Sequence, residues 1–468
     1  MSALLTPRGL ALALFVSAMV GRSQAQLLVD ELTVPSEKGV GSFEVWANQR
    51  SNALSSGFLH TFQQGGFLER AFFEDMLDAH PTMGAMGGQA GWSKRFSTRP
   101  LGEGLWALTG AVGSEVLVST LWRKEILELA FLGNAGHTGR VDVFNGTGFR
   151  MGAFNRFSIG MEHKDTRQRL ELSLVQRVAG VEWGIPRGSF WVSEAADSMQ
   201  ADVQTYAFAS LDQLPDTLEF RFSQLLPSYG VGLSGALPLT SEEYPIQFLV
   251  DFQDVGIMWE RSGGLVALAD TGFQTTGLAV PFTDLIGQDG GMDMGLTWQD
   301  VVDGDTGIDP DSLYFFSDSA IGRMQMLPTR IQAQLSWWPT ADLQVRAKVR
   351  AGSWMPRPEF TMGVGWIPSK RLAFGVDYRT GGWGLGRPVT WLDWRVSEKR
   401  ILSIEVDDPM GWTWGAETAS NTYGRGVRIA LRRIAGTGWT RLMGLPSKPW
   451  REAPEREAPS LPQTSSRP

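Results

Sequence analysis

Residues 330–350 read RIQAQLSWWPTADLQVRAKVR. Ile331, Ala333, Leu335 and Trp337 fall on one parity, and beyond Thr340-Ala341-Asp342 so do Leu343, Val345, Ala347 and Val349. Between them stand Gln332, Gln334, Arg346, Lys348 and Arg350. Alternation at every second residue marks a strand with one apolar face. Two such runs joined by a short turn predict an antiparallel hairpin.

The same pattern extends in both directions. Upstream it takes in Phe149, Met151, Ala153, Phe157, Ile159 and Met161; Leu170, Leu172 and Leu174; Val231, Leu233, Leu237 and Leu239; and Ile246, Phe248, Val250 and Phe252. Downstream come Phe360, Met362, Val364 and Trp366; Leu372, Phe374, Val376 and Tyr378; Leu402, Ile404 and Val406; and Val427, Ile429 and Leu431. A meander of this kind can point its apolar face at the core of a soluble sandwich or at lipid, as a transmembrane barrel does. Three features favour the barrel. The polar face is charged within strands, as at Arg428 and Arg432. Trp outnumbers Tyr by 19 to 6, and Trp337, Trp338, Trp366, Trp412 and Trp414 sit where an interfacial aromatic girdle would lie. Short turns alternate with longer connections.

Composition narrows the class. The chain has 468 residues, no cysteine and a formal charge of -8. Absent cysteine excludes a disulfide scaffold and thiolate metal sites. The acidic balance argues against nucleic acid as a partner. The first 25 residues read as an export signal. Arg8 leads an apolar Gly9–Val20 stretch, and Ser23-Gln24-Ala25 offers a cleavage site after Ala25. The stretch is shorter than the ~20 residues of a spanning helix.

Two stretches have helical periodicity, Phe67 to Ala79 and Ser114 to Phe131. They are expected as short N-terminal plug or cap helices, near the periplasmic side or in the lumen. Residues 26–139 would thus combine wall strands with these helices. Residues 140–434 would form the main barrel. The tail 435–468 is rich in Pro, Ser, Glu and Arg and is expected to be disordered.

The segment 262–322 holds ten aspartates and no Lys or Arg. Within it, Asp303, Asp305, Asp309 and Asp311 place oxygens at alternating positions, a weak calcium pattern without the closing Glu of an EF-hand. A solvated acidic loop is the plainer expectation, with no other cofactor. Gly381-Gly382-Trp383-Gly384-Leu385-Gly386 opens no helix, so it reads as a turn rather than a phosphate cradle. His60, His80, His137 and His163 lie in no nucleophile motif, and no catalytic residue is expected.

Several segments resemble markers of an uncharacterised Bacteroidota outer-membrane barrel family. They are Ser51-Asn52-Ala53-Leu54, Gln64-Gly65-Gly66-Phe67-Leu68 and Leu129-Ala130-Phe131-Leu132-Gly133-Asn134. Asp251 to Trp259, Leu327-Pro328-Thr329 and Ser403 to Asp408 are similar as well, although the Asn that commonly follows the family's Asp in the last segment is missing. That family is similar in shape to the long-chain fatty-acid transporter barrels and to the shuttle barrel of type IX secretion. The resemblance spans residues 26 to 434 and implies an all-β antiparallel barrel of about 14 strands, an even number. It carries over no catalytic residue. The expected role is passage of a small apolar solute across the outer membrane, with the N-terminal segment as gate. The alternative is a scaffold barrel that docks a periplasmic or surface protein. Outer-membrane lipid is a partner in either case.

Overall fold

The computed structural model describes residues 40–433 apart from 65–68, 102–103, 164–165, 211–224, 226, 241–244, 261–263, 277–314, 319–321, 341, 370, 398–399 and 413–421. The signal sequence, the calcium pattern, Trp414 and the C-terminal tail lie outside the described residues.

The chain order is β1 (Val40–Ser51), α1 (Ser56–Gln64), α2 (Arg70–Asp78), β2 (Met83–Pro100), β3 (Trp106–Arg123), α3 (Lys124–Leu132), β4 (Val141–Val143), β5 (Thr147–His163) and β6 (Arg169–Val192). It continues with β7 (Ser198–Ala209), β8 (Ser228–Thr240), β9 (Ile246–Trp259), β10 (Leu265–Thr276), β11 (Phe315–Asp318), β12 (Met324–Met326) and β13 (Arg330–Thr340). The last strands are β14 (Leu343–Gly352), β15 (Glu359–Ser369), β16 (Leu372–Gly381), β17 (Gly384–Ser397), β18 (Arg400–Asp407) and β19 (Gly424–Arg433).

Fourteen of these strands pair in one antiparallel ring, in the order β1, β2, β3, β5, β6, β8, β9 and then β13 to β19. The ring closes where Gly41 to Arg50 of β1 meet Arg433 to Gly424 of β19. Closure pairs the backbone of every wall strand with two neighbours, which a lipid environment demands because it offers no water to an open edge. The outward faces carry the apolar alternation read from the sequence. Leu170, Leu172 and Leu174 are 56, 54 and 51% exposed, whereas Glu171 and Ser173 between them are each 1% exposed. An apolar outer face around a polar interior is the reverse of a soluble sandwich. The fold is a transmembrane antiparallel β-barrel.

At one end of the ring only two residues separate successive strands, as at 341–342, 370–371 and 398–399. The other carries long connections: 52–82, 124–146, 260–323 and 408–423. In barrels of this class the short turns are periplasmic and the long connections external. Above the wall on the long-connection side, the upper half of β6 leaves β8 and pairs with β7 and β4. β7 then pairs with β10, and β10 with β11. The described ends of the acidic 262–322 segment are thus strands of this outer leaf.

The helices differ from the sequence expectation in two ways. They lie in the connections β1–β2 and β3–β5, at the long-connection end, and not on the short-turn side or within the lumen. Second, Ser114 to Phe131 divides, with strand as far as Arg123 and helix only from Lys124. The β-branched Val112, Val116, Val118 and Thr120 favour strand, and β2 and β5 pair along both edges of β3. Residues 40–51 and 83–100 are wall strands, so the N-terminal segment as a whole is not a removable gate.

The wall has one paired irregularity. On β9 the outward residues are Ile246 and Phe248 below Asp254, but Val255, Ile257 and Trp259 above it. Facing it, Met324 and Met326 point out on β12, and Ile331 and Leu335 on β13. Both strands change parity at the same level, through Asp254 at φ 52° and through Leu327-Pro328-Thr329. The hydroxyl of Thr329 donates to the Asp254 carbonyl at 2.7 Å, and the Asp254 amide donates to Ser234 Oγ at 3.0 Å. Two segments that carried the family resemblance therefore meet in one bulge.

Candidate functional site

The lumen is built from the inward parity of the strands, and charge pairs fill it. Near the long-connection end, Arg50, Arg350, Arg379 and Arg387 converge on Glu359, Glu405 and Asp407. Arg350 lies 3.0 Å from Glu359, Arg379 2.8 Å from Glu405 and Arg387 2.7 Å from Asp407. Arg50 of β1 reaches Glu359 of β15 and lies 2.6 Å from Asp407 of β18. Some pairs cross the bore rather than joining neighbours. Arg330 of β13 binds Glu115 of β3, and Arg156 of β5 reaches Asp254 of β9 while also holding Glu115 of the adjacent β3 at 2.9 Å. Nearer the short turns, Arg428 pairs with Glu44 at 2.6 Å, Arg346 with Asp377 at 2.6 Å, and Arg95 with Glu171 at 2.9 Å. Buried ions persist only when paired and hydrogen-bonded, so this lattice braces the wall from inside.

Two tryptophans close what the charges leave. Trp383 occupies the tight β16–β17 turn, which Gly381 and Gly382 allow with φ of 89° and 64°. Its indole is 1% exposed, donates to Ser119 Oγ of β3 at 3.0 Å, and covers Gly87 of β2, where a Cβ would collide with it. Trp354, in the β14–β15 connection, meets Phe154 edge-on at 5.7 Å and carries the Arg150 guanidinium 4.8 Å from its ring. Leu117, Phe154, Val175, Met258 and Leu327 form an apolar patch beside Trp354, and Leu327 belongs to the wall irregularity.

A second apolar cluster lies at the long-connection end. Phe58 of α1 stacks on Phe72 of α2 at 5.0 Å, and Phe73 of α2 stacks on Phe131 of α3 at 4.4 Å. Beneath them sit Leu54, Met76, Leu77, Met86 and Trp122. Met86 and Gly87 are consecutive on β2 and so face opposite sides of the wall, Met86 toward this cluster on the outward parity and Gly87 toward Trp383 in the bore. Ser119 and Leu117, two residues apart on β3, link Trp383 to the inner patch. Apolar side chains thus lie on both faces of the wall at this end, the helix cluster against the outward parity of β2 and β3 and the Trp354 patch within the bore, alongside the charge lattice.

His80 and Asp408, both outside the spanning strands, have shifted affinities. The His80 ring accepts from Trp122 Nε1 at 2.7 Å and faces the Pro81 carbonyl through Nδ1, a pattern that needs the neutral imidazole. Burial lowers its pKa, in the same direction. Asp408, at φ 49° beside Asp407, is pushed up to about 6 by burial and by the neighbouring carboxylate. A raised acid pKa contributes stability that is fully present below the ordinary carboxylate range and is lost as pH rises through about 6. The protection of the Met410–Trp412 amides, measured as exchange relative to the unstructured rate at the same pH, is therefore expected to be greater at pH 4 than at pH 7.5, and Asp408→Asn should remove that difference.

The tryptophans singled out from the sequence part company. Trp337 and Trp366 face outward, 47 and 51% exposed, at the short-turn ends of their strands. Trp338 is 1% exposed and faces inward, because adjacent strand residues point to opposite sides. Trp412 is half-buried in a short 3-10 turn at the other end. Trp106 and Trp394, which the sequence did not single out, join the outward set at the short-turn rim. Trp354 and Trp383 were also missed. The glycines flanking Trp383 were its only sequence signal, since a bulky indole in a two-glycine turn has no local packing partner. Among the described residues no group of His, Cys, Asp and Glu could hold a metal.

No family model matches the chain, and no curated protein does. Solved structures are similar at low identity. The toluene transporter TbuX of Ralstonia pickettii is 8% identical, with 86% of this chain and 92% of that one covered and a TM-score of 0.37. A FadL homologue of Pseudomonas aeruginosa is 9% identical, with 86% and 92% covered and a TM-score of 0.36. The P. putida toluene transporter TodX is 7% identical, with 84% and 87% covered and a TM-score of 0.32. Likenesses of this size carry no argument about cargo, and the barrel rests on its own strand pairing.

Proposed function

We propose that this barrel passes a small apolar solute across the outer membrane. The observation that carries the reading is the apolar patch of Leu117, Phe154, Val175, Met258 and Leu327 beside Trp354, inside a bore rich in ion pairs. The stacked phenylalanines of α1, α2 and α3 at the long-connection end offer an uncharged solute a place to leave water. The charge lattice offers it none. Trp354 and Trp383 hold the passage shut in this state, so transport requires them to swing away. The reading assigns no catalytic step and needs no cofactor.

Cells whose lipopolysaccharide-bearing outer membrane contains the protein should take up a small radiolabelled hydrocarbon faster than the same cells without it. Phe72→Ser combined with Phe131→Ser should slow that uptake while leaving heat-dependent gel mobility unchanged. Equal uptake by cells with and without the protein would remove the proposal.

A further inference from the structure

The lipid-facing surface carries cations where β18, β19, β1 and β2 lie side by side. Arg400 of β18 stands directly opposite Arg433 of β19, both exposed and both on the outward parity. Arg433 is opposite Gly41 of β1, and Gly41 is opposite Phe96 of β2. One row nearer the membrane centre, Leu431, Phe43 and Lys94 are in register, and Lys94 is exposed on the same face. With neighbouring strands about 4.8 Å apart, Arg433 and Lys94 flank the bare backbone at Gly41 from either side, and Arg400 stands two strands away beside Arg433. No carboxylate stands among the described outward residues of these two rows.

Like charges directly opposite each other oppose strand pairing, and a lysine between exposed aromatics on a lipid face costs stability unless a counter-charge meets it. Phe43 and Phe96 are 45 and 41% exposed and flank the gap. The rows lie at the short-turn rim, which is the level of the periplasmic leaflet's headgroups.

We propose that Lys94, Arg400 and Arg433 form a binding site for the phosphate of an anionic phospholipid in the periplasmic leaflet. The headgroup would lie over Gly41, and its acyl chains would follow Phe43 and Leu431 toward the membrane centre. Arginine suits the site because its planar fork holds phosphate oxygens in pairs. Such a lipid also relieves the Arg400–Arg433 repulsion where the barrel closes on its first strand.

Native mass spectrometry of the detergent-purified protein tests this. The probes are a phosphatidylglycerol, a phosphatidylcholine with the same chains, and inorganic phosphate alone. The wild type should retain the phosphatidylglycerol roughly tenfold or more over the phosphatidylcholine, the scale that three interfacial cations give. It should show no adduct with phosphate. The triple variant Lys94→Gln, Arg400→Gln, Arg433→Gln should lose the preference, and Arg400→Lys with Arg433→Lys should keep most of it. Heat-dependent gel mobility reports whether each variant is folded. Equal retention of the two lipids by the wild type overturns the proposal without reference to any variant. So does an unchanged preference in the folded triple variant. An adduct with phosphate alone would make the site one for a free anion instead of a lipid.

Discussion

Glu359→Ala is expected to destabilise the barrel by about 3–5 kcal/mol, the cost of stripping one partner from a buried ion cluster. Glu359 is 2% exposed and answers Arg50, Arg350 and Arg387 together. Without it, four guanidiniums face only Glu405 and Asp407. The remaining repulsion acts between β1, β14, β16 and β17, so the whole upper lumen is affected rather than one strand pair. The midpoint of the heat-dependent mobility shift in detergent would read this loss. Asp377→Ala should cost less, because Asp377 answers chiefly Arg346 through two hydrogen bonds. A Glu359→Ala midpoint equal to wild type would mean that water reaches the cluster and screens it.

The second large effect is on permeation. Replacing Trp354 and Trp383 together by alanine should raise solute flux well above wild type, because both indoles fill the bore from turns rather than from wall strands. The change leaves the ring of strand pairs intact, so heat-dependent mobility should shift little. Trp383→Ala alone frees Ser119 and uncovers Gly87, whereas Trp354→Ala alone leaves Arg150 without its ring partner. Planar-bilayer conductance separates the two. A double variant as closed as wild type would show that the ion pairs alone block the passage.

The wall was legible in the sequence because a lipid-facing strand needs nothing but its own alternation. Phe360, Met362, Val364 and Trp366 declare their face without knowledge of any partner, and all four are exposed on β15. The helices were harder. Val118, Leu121, Trp122, Ile126 and Leu129 fit a helical stripe across a boundary at Arg123, and only pairing with β2 and β5 decides where strand ends. The lumen was least legible. Arg346, Lys348 and Arg350 announced a charged inner face, but Arg330–Glu115 and Arg50–Glu359 join residues 215 and 309 positions apart. Such pairs follow from the diameter of the ring, which no local pattern encodes. The parity change at Asp254 was hidden for the same reason, since it shows only when β9 is laid against β12 and β13.

The claim on which everything else depends is that these strands face lipid outside and a packed bore inside. The chain contains no cysteine, so single cysteines can be placed at will for spin labelling. The decisive set on β6 is Leu170, Leu172 and Leu174 against Ser173 and Val175, each replaced by cysteine and reconstituted into bilayers. Labels at 170, 172 and 174 should collide freely with oxygen dissolved in the bilayer, and labels at 173 and 175 should not. Uniform accessibility along the strand, or access to a water-soluble relaxant at 170, 172 and 174, would contradict a membrane-spanning barrel.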